Sequence, residues 1–189
     1  MIDNNTSKMK HFTYLIKEYE KLVYEKSHIS LLNDFFDYVC EQENIENAIK
    51  ISVMSKNREN KIFPHQRRLK SIVLENYANI LINTKDKIQN SKNFDELFNI
   101  LNTNKISGIA ELTLYDIALR IGQYLKLFPE YIYIHAGTRI GLKNLLGVKM
   151  NKSVIGKNEL LEPFCSCNLN PMQLEDFFCY YKNEIKMEY

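Results

Sequence analysis

Apolar residues recur at helical spacing along most of this chain. Near the N-terminus they form a stripe of Phe12, Leu15, Ile16, Tyr19, Leu22 and Val23. Near the C-terminus they form a second stripe of Leu174, Phe177, Phe178, Tyr181 and Ile185. A period near 3.6 residues puts such side chains on one face of a helix, which must then be covered by another element. Only six glycines and four prolines interrupt the chain, so the pattern predicts an all-α fold.

The length and hydrophobic content indicate how the chain is organised. It has 189 residues, of which 45% are hydrophobic and 12% aromatic, enough to bury a substantial core. We expect one all-α domain over residues 1–189, with an arrangement as two helical lobes left open. The sequence Asn170-Pro171-Met172-Gln173 predicts a capping box, with proline at the first position of the last helix.

The N-terminal residues and the cysteines suggest a compartment. Residues 1–10 are polar, without the apolar run of a signal peptide, and no stretch approaches membrane length. The four cysteines Cys40, Cys165, Cys167 and Cys179 are too unevenly spaced for a disulfide framework. We therefore expect a cytoplasmic protein with no membrane association, no metal site, no cofactor and no obligate protein partner.

A glycine turn near the middle of the chain precedes a helix. Ser107 and Gly108 lie between Ile106 and Ile109, and Ala110 follows. Small residues here leave the backbone open to a ligand, and a helix start presents unpaired N–H groups that suit phosphate. We expect Thr113 to cap this helix, with Asp116 at its third position as in a capping box. An ordinary corner between two helices is the alternative.

A first helix with Phe94, Leu97, Phe98 and Leu101 leads into the hairpin at residues 106–113. Residues 94–139 thus resemble the helix-hairpin-helix of the DNA glycosylase superfamily, the fold of endonuclease III and the adenine glycosylases. The family hairpin reads apolar-x-Gly-apolar-Gly-x-Lys-Thr-Ala, and here Gly108 and Thr113 match it while Ala110 stands at the second glycine. The resemblance implies a helix-hairpin-helix at about residues 94–127 and DNA as the partner. It implies that the hairpin binds DNA through Ser107, Gly108, Ala110 and Thr113.

The chain departs from the family at two catalytic positions. Leu112 stands at the position of the catalytic lysine, and Tyr133 falls where the family has its essential aspartate. Without the lysine amine no Schiff base forms, so lyase activity is not expected. We predict a rearranged catalytic set of Asp116, Tyr133 and His135, with Asp116 one helical turn beyond Leu112. A structural pairing of Asp116 with Arg120, and a histidine that caps the next helix, are the alternatives.

Two segments are rich in cations. We expect Pro64 to begin a helix whose first turn carries His65, Gln66, Arg67 and Arg68, where an anion would offset the unfavourable helix dipole. The second segment, residues 138–157, contains five cations and no acid. In it we predict that Thr138, Arg139 and Lys143 contact nucleic acid, since segregated positive charge suits a polyanion. A solvated basic loop is the alternative for the first segment.

Three functions follow from these observations. The first is a DNA glycosylase that hydrolyses the N-glycosidic bond of a modified or damaged base, in repair or in defence against phage. The second is a helix-hairpin-helix module that binds DNA without catalysis. The third is an all-α interaction protein in which the hairpin is only a corner.

Overall fold

The computed structural model describes residues 4–24, 29–63 and 66–185. These residues are mostly helical, with a single two-stranded sheet among them, which confirms the predicted all-α fold. The helices are α1 (Asn4–Tyr24), α2 (Ile29–Cys40), α3 (Ile45–Met54), α4 (Ser71–Asn83), α5 (Lys85–Gln89), α6 (Phe94–Thr103), α7 (Glu111–Leu125), α8 (Ala136–Leu146) and α9 (Pro171–Tyr180). The strands are β1 (Ile132–Tyr133) and β2 (Val154–Ile155).

The chain divides into two units. The terminal unit is made of Met1–Ile29 and Glu130–Tyr189, and the middle unit is made of Ser30–Pro129. The middle unit is therefore inserted, in sequence, between the two segments of the terminal unit. The expectation of one domain over the whole chain stays a prediction.

The middle unit contains α2 to α7. Asparagine side chains cap two of its helices: Asn44 accepts from Asn47 N at 3.0 Å before α3, and Asn93 accepts from Glu96 N at 2.9 Å before α6. The interior is filled by apolar side chains, among them Phe35, Val39, Ala48, Leu74, Leu81, Leu97, Leu101 and Ile117. Tyr77 is also buried and donates to the carbonyl of Leu101 at 2.7 Å, so its hydroxyl is satisfied inside the core.

The terminal unit packs α1, α8 and α9 around an aromatic core. The ring centroids of neighbouring pairs among Phe12, Phe164, Phe177 and Phe178 lie 5.2–5.6 Å apart, in tilted or edge-to-face arrangements. Strands β1 and β2 pair antiparallel, with Ile132 opposite Ile155. This short sheet sets the position from which α8 begins.

Helices α8 and α9 approach closely because α8 carries glycine one turn apart. A Cβ on Gly137 would lie 2.2 Å from Cys179 Sγ, and one on Gly141 would lie 2.2 Å from the carbonyl oxygen of Phe178. The predicted capping box of α9 is confirmed, since Asn170 accepts from Gln173 N and Gln173 accepts from Asn170 N.

Two helix starts differ from the prediction. Helix α7 begins at Glu111 with Ala110 at the N-cap, so Thr113 is the third helical residue and not the cap. Helix α4 begins at Ser71, so Gln66, Arg67 and Arg68 precede it and do not form its first turn. The chain stays irregular there because Gln66 is buried as the anchor of a turn. Pro64 and His65 lie outside the described residues.

Each described helix is too short or too polar to cross a lipid bilayer.

Candidate functional site

The connection between α6 and α7 is a tight hairpin. Ile109 N donates to the carbonyl of Ile106 at 3.2 Å, and Gly108 has a φ of +97°. A residue with a side chain rarely adopts that conformation, so the turn requires glycine. Ser107, Gly108 and Ala110 are exposed, whereas Ile109 is buried and holds the turn to the core.

Helix α7 starts directly from this hairpin. Ala110 is its N-cap and offers no side-chain hydrogen bond, and the ladder starts with Leu114 N donating to the carbonyl of Ala110 at 2.9 Å. The amides that come before Leu114 have no acceptor within the helix. Thr113, predicted to contact nucleic acid, is buried. The exposed backbone of the hairpin is thus the part that faces solvent.

The hairpin lies against the first turn of α4. A Cβ on Gly108 would be 3.0 Å from Val73 Cγ1, which is tighter than ordinary contact. Val73 N in turn donates to the carbonyl of Lys70 at 3.0 Å. The hairpin and the start of α4 are therefore neighbours on the surface of the middle unit.

A buried arginine organises the polar interior of the middle unit. The Arg120 cluster comprises Arg120, Asp116, Gln66, Ser52 and Ser55. Arg120 Nη1 donates to Ser55 Oγ at 2.6 Å and to the Ser52 carbonyl at 3.0 Å, and Nη2 donates to Gln66 Oε1 at 3.4 Å. Gln66 Nε2 donates to Asp116 Oδ2 at 2.6 Å.

Burial and neighbouring rings define the environment of the Arg120 guanidinium. Its carbon lies 4.7 Å from the centre of the Phe35 ring and 5.3 Å from that of Phe63. Burial lowers the pKa of Arg120 to about 10, with the Asp116 carboxylate acting in the opposite direction. Arg120 therefore stays charged at neutral pH, and Asp116 lies beside it on α7.

The terminal unit holds a second buried cluster around a carboxylate. The Glu175 cluster comprises Glu175, His135 and Thr138, all buried. Thr138 Oγ1 donates to Glu175 Oε1 at 2.7 Å, and His135 Nε2 lies 3.1 Å from the same oxygen. His135 occupies the N-cap of α8 without a side-chain cap bond, so its ring is directed to Glu175 instead.

The other predicted residues of the terminal unit have varied surroundings. Tyr133 is buried in β1, opposite Val154. Arg139 donates to the carbonyls of Met150, Lys152 and Ile134, so its guanidinium ties loop backbone together. Lys143 is exposed near the end of α8.

Several predicted residues are in contact with each other, and some partners were missed. Gln66 binds Asp116, and Thr138 shares Glu175 with His135. Asp116 belongs to the middle unit, while Tyr133 and His135 belong to the terminal unit. One signal for Glu175 is present in the sequence, since it is an acid beside the apolar stripe of α9. Ser52 and Ser55 have none, because they meet Arg120 only through tertiary folding.

The described residues hold no group of three or more His, Cys, Asp or Glu suited to a metal ion. No family model, no curated protein sequence and no solved structure matches this chain.

Proposed function

We propose that this protein binds DNA through the hairpin between α6 and α7 and excises a modified or damaged base as a monofunctional DNA glycosylase. The observation that carries the proposal is the turn of Ile106 to Ile109. Its glycine, Gly108, has a φ of +97°, and α7 begins three residues later at Glu111. This is the backbone arrangement expected of a helix-hairpin-helix.

DNA binding follows from the chemistry of the exposed hairpin. Ser107, Gly108 and Ala110 present small side chains and exposed backbone. The first amides of α7 point toward the same end of the helix, where the dipole favours an anion. A DNA phosphate satisfies these donors without any base-specific contact. The hairpin would thus fix the position of the protein on the DNA backbone.

Base release requires stabilisation of positive charge on the sugar. The bond between C1′ and the base nitrogen breaks, its electron pair leaves with the base, and water adds to C1′ with loss of a proton. Asp116, half-buried and oriented by Gln66, would stabilise the developing cation and accept that proton. The terminal unit offers a separate candidate, His135, whose ring Glu175 holds and which would give a proton to a departing base. Tyr133 is the candidate in that unit for contact with a flipped nucleotide.

The proposal excludes a lyase step through a lysine at the hairpin. Leu112 is the residue at that position, and it has no amine to attack the sugar. DNA treated with the protein should therefore carry intact abasic sites, which break only under alkali.

A DNA-binding module without catalysis is the second candidate, and one observation favours it. Asp116 and His135 both contact buried side chains of their own unit, Gln66 and Glu175 respectively. Such contacts also suit residues that only stabilise the fold. The hairpin would then act as a DNA anchor alone.

The experiment that separates these functions is a base-release assay. The purified protein is incubated with DNAs that carry unmodified, damaged or naturally modified bases, and the DNA is then heated in alkali. Strand breaks that appear only after alkali, for one class of base, support a monofunctional glycosylase. No breaks on any DNA, with salt-sensitive binding retained, support the binding module. Absence of salt-sensitive binding contradicts both.

A further inference from the structure

A turn with two exposed arginines precedes α4. Leu69 N donates to the carbonyl of Gln66 at 3.0 Å, which puts Arg67 and Arg68 at the two central positions of the turn. Both side chains are exposed, as is that of Lys70. We call residues 66–69 the arginine turn.

The arginine turn is attached to the helix that follows the hairpin. Its first residue, Gln66, is fully buried and donates to Asp116 on α7 at 2.6 Å. Gln66 also accepts from Arg120, one helical turn further along α7. The base of the turn is therefore held inside the protein while its tip projects outward.

A second contact joins the same segment to the hairpin itself. Val73, in the first turn of α4, lies against Gly108, and Lys70 at the N-cap is one helical turn before it. With the bond from Gln66 to Asp116, this gives two separate attachments between the segment and the hairpin with its helix. The arginine turn and the hairpin are therefore joined to each other at two places within the middle unit.

Positive charge predominates on this part of the surface. Exposed cations are contributed by Arg67, Arg68, Lys70 and Lys105. The exposed acids of the same segments are Glu75, which accepts from Ser71 at 2.7 Å, and Glu111. An excess of cations beside an exposed backbone turn fits a polyanion better than a neutral or acidic partner.

We propose that the arginine turn and the hairpin form one continuous surface that binds the phosphates of a single DNA molecule. Arg67 and Arg68 supply charge-assisted contacts beside those made by the hairpin amides. The inference rests on the proposed DNA binding and adds a second contact region to it.

The test measures how DNA affinity depends on salt. Wild-type protein, Arg67→Gln/Arg68→Gln and Lys87→Gln/Lys92→Gln are titrated against a short fluorescent duplex between 50 and 200 mM salt. The control removes two exposed lysines of the same unit outside this surface. Each lost phosphate contact lowers the salt slope by about 0.9. The arginine variant should lose roughly 2 units of slope and about 50-fold in affinity at 0.1 M salt, with unchanged stoichiometry.

A third variant, Arg67→Lys/Arg68→Lys, keeps the charge and should keep the salt slope. Melting followed by circular dichroism verifies that every variant is folded. An unchanged slope in the arginine variant, or an equal loss in the lysine control, overturns the inference. So does a halved stoichiometry, because it would mean two independent sites.

Failure of the inference can be told apart from failure of the proposed function. If wild-type protein does not bind DNA in a salt-sensitive manner, the proposed function itself is wrong. If Gly108→Val weakens binding while the arginine variant binds like wild type, only the second contact region is wrong. Loss in both variants supports the continuous surface.

Discussion

The two buried clusters are built around charges of opposite sign. The Arg120 cluster is centred on a cation that donates to the end of α3, to Ser55 and to the arginine turn. The Glu175 cluster is centred on an anion that contacts the first turn of α8 and its N-cap. One charge therefore connects segments far apart in sequence, while the other connects two neighbouring helices.

The difference predicts how much each unit depends on its cluster. Helices α8 and α9 already pack closely through Gly137 and Gly141, so Glu175 adds to a contact that exists without it. The arginine turn belongs to none of the α-helices or strands, and Arg120 donates to Gln66 at its base. We expect loss of Arg120 to be the more damaging, since it leaves several buried acceptors unpaired.

The largest effect is expected for Arg120→Met. Removing one partner of a buried charged network costs roughly 3–5 kcal/mol, because the groups left behind stay desolvated. Urea denaturation should show this loss of unfolding free energy. The matched control is Arg58→Met, since Arg58 also lies over an aromatic ring, that of Tyr38, but pairs with Glu41 in solvent. That change should leave the unfolding free energy nearly unchanged, because water screens an exposed ion pair. Equal losses would contradict the assigned role of Arg120.

The next effect concerns chemistry, since each cluster contains a proposed catalytic residue. Asp116→Asn keeps the shape of the side chain but removes its charge. Base release should fall by about a thousandfold, the scale of one acid or base group. DNA affinity should stay within a factor of about two, because the hairpin is untouched. Single-turnover base release and anisotropy measure the two quantities.

His135→Ala makes the same test in the Glu175 cluster. Base release should also be abolished while binding to DNA persists. If only the Asp116 variant loses activity, chemistry belongs to the Arg120 cluster and the Glu175 cluster is structural. Full activity in both variants would show that neither Asp116 nor His135 is a catalytic residue.

The sequence predicts those features of the two clusters that lie within one element. The apolar stripes predict the helices, and the four-residue spacing of Asp116 and Arg120 predicts that they lie close together on α7. The sequence does not indicate that Gln66 is buried, because a glutamine that comes shortly after a proline and directly before two arginines resembles a surface residue. Its burial depends on α7 bringing a carboxylate and a guanidinium to it. For the same reason α4 was predicted to begin too early, since tertiary contacts override the helix signal of Pro64.

A smaller effect is expected for Glu175→Gln. The amide retains the oxygen that Thr138 and His135 share, but that oxygen is no longer charged, and a buried NH2 group replaces the second carboxylate oxygen. We expect a loss of about 2 kcal/mol, the cost of one buried group left without a partner. Glu184→Gln, on an exposed residue, is the control and should change stability by less than about 0.5 kcal/mol. A loss as large as that of Arg120→Met would mean that the two clusters contribute equally to the free energy of unfolding.

The smallest effect is expected for Tyr19→Phe, next to the Glu175 cluster. Tyr19 donates to Asp176 Oδ2 at 2.8 Å, and removal of one such bond costs about 1 kcal/mol at neutral pH. Burial, followed by the nearby Asp176 and Glu175 carboxylates, raises the pKa of Tyr19. A raised pKa means that the stabilisation is complete below pH 10, the usual value for tyrosine, and is lost as the pH rises further.

Above pH 10 the unfolded chain releases the Tyr19 proton while the folded protein retains it, so wild-type stability should fall by up to about 1.4 kcal/mol per pH unit from this group. Urea denaturation between pH 8 and about pH 11 should show the Tyr19→Phe variant losing less stability than wild type. Tyr14→Phe, at an exposed position of the same helix, should follow the wild-type curve. Parallel curves for wild type and Tyr19→Phe would show that Tyr19 does not link the core of the terminal unit to its acidic side chains.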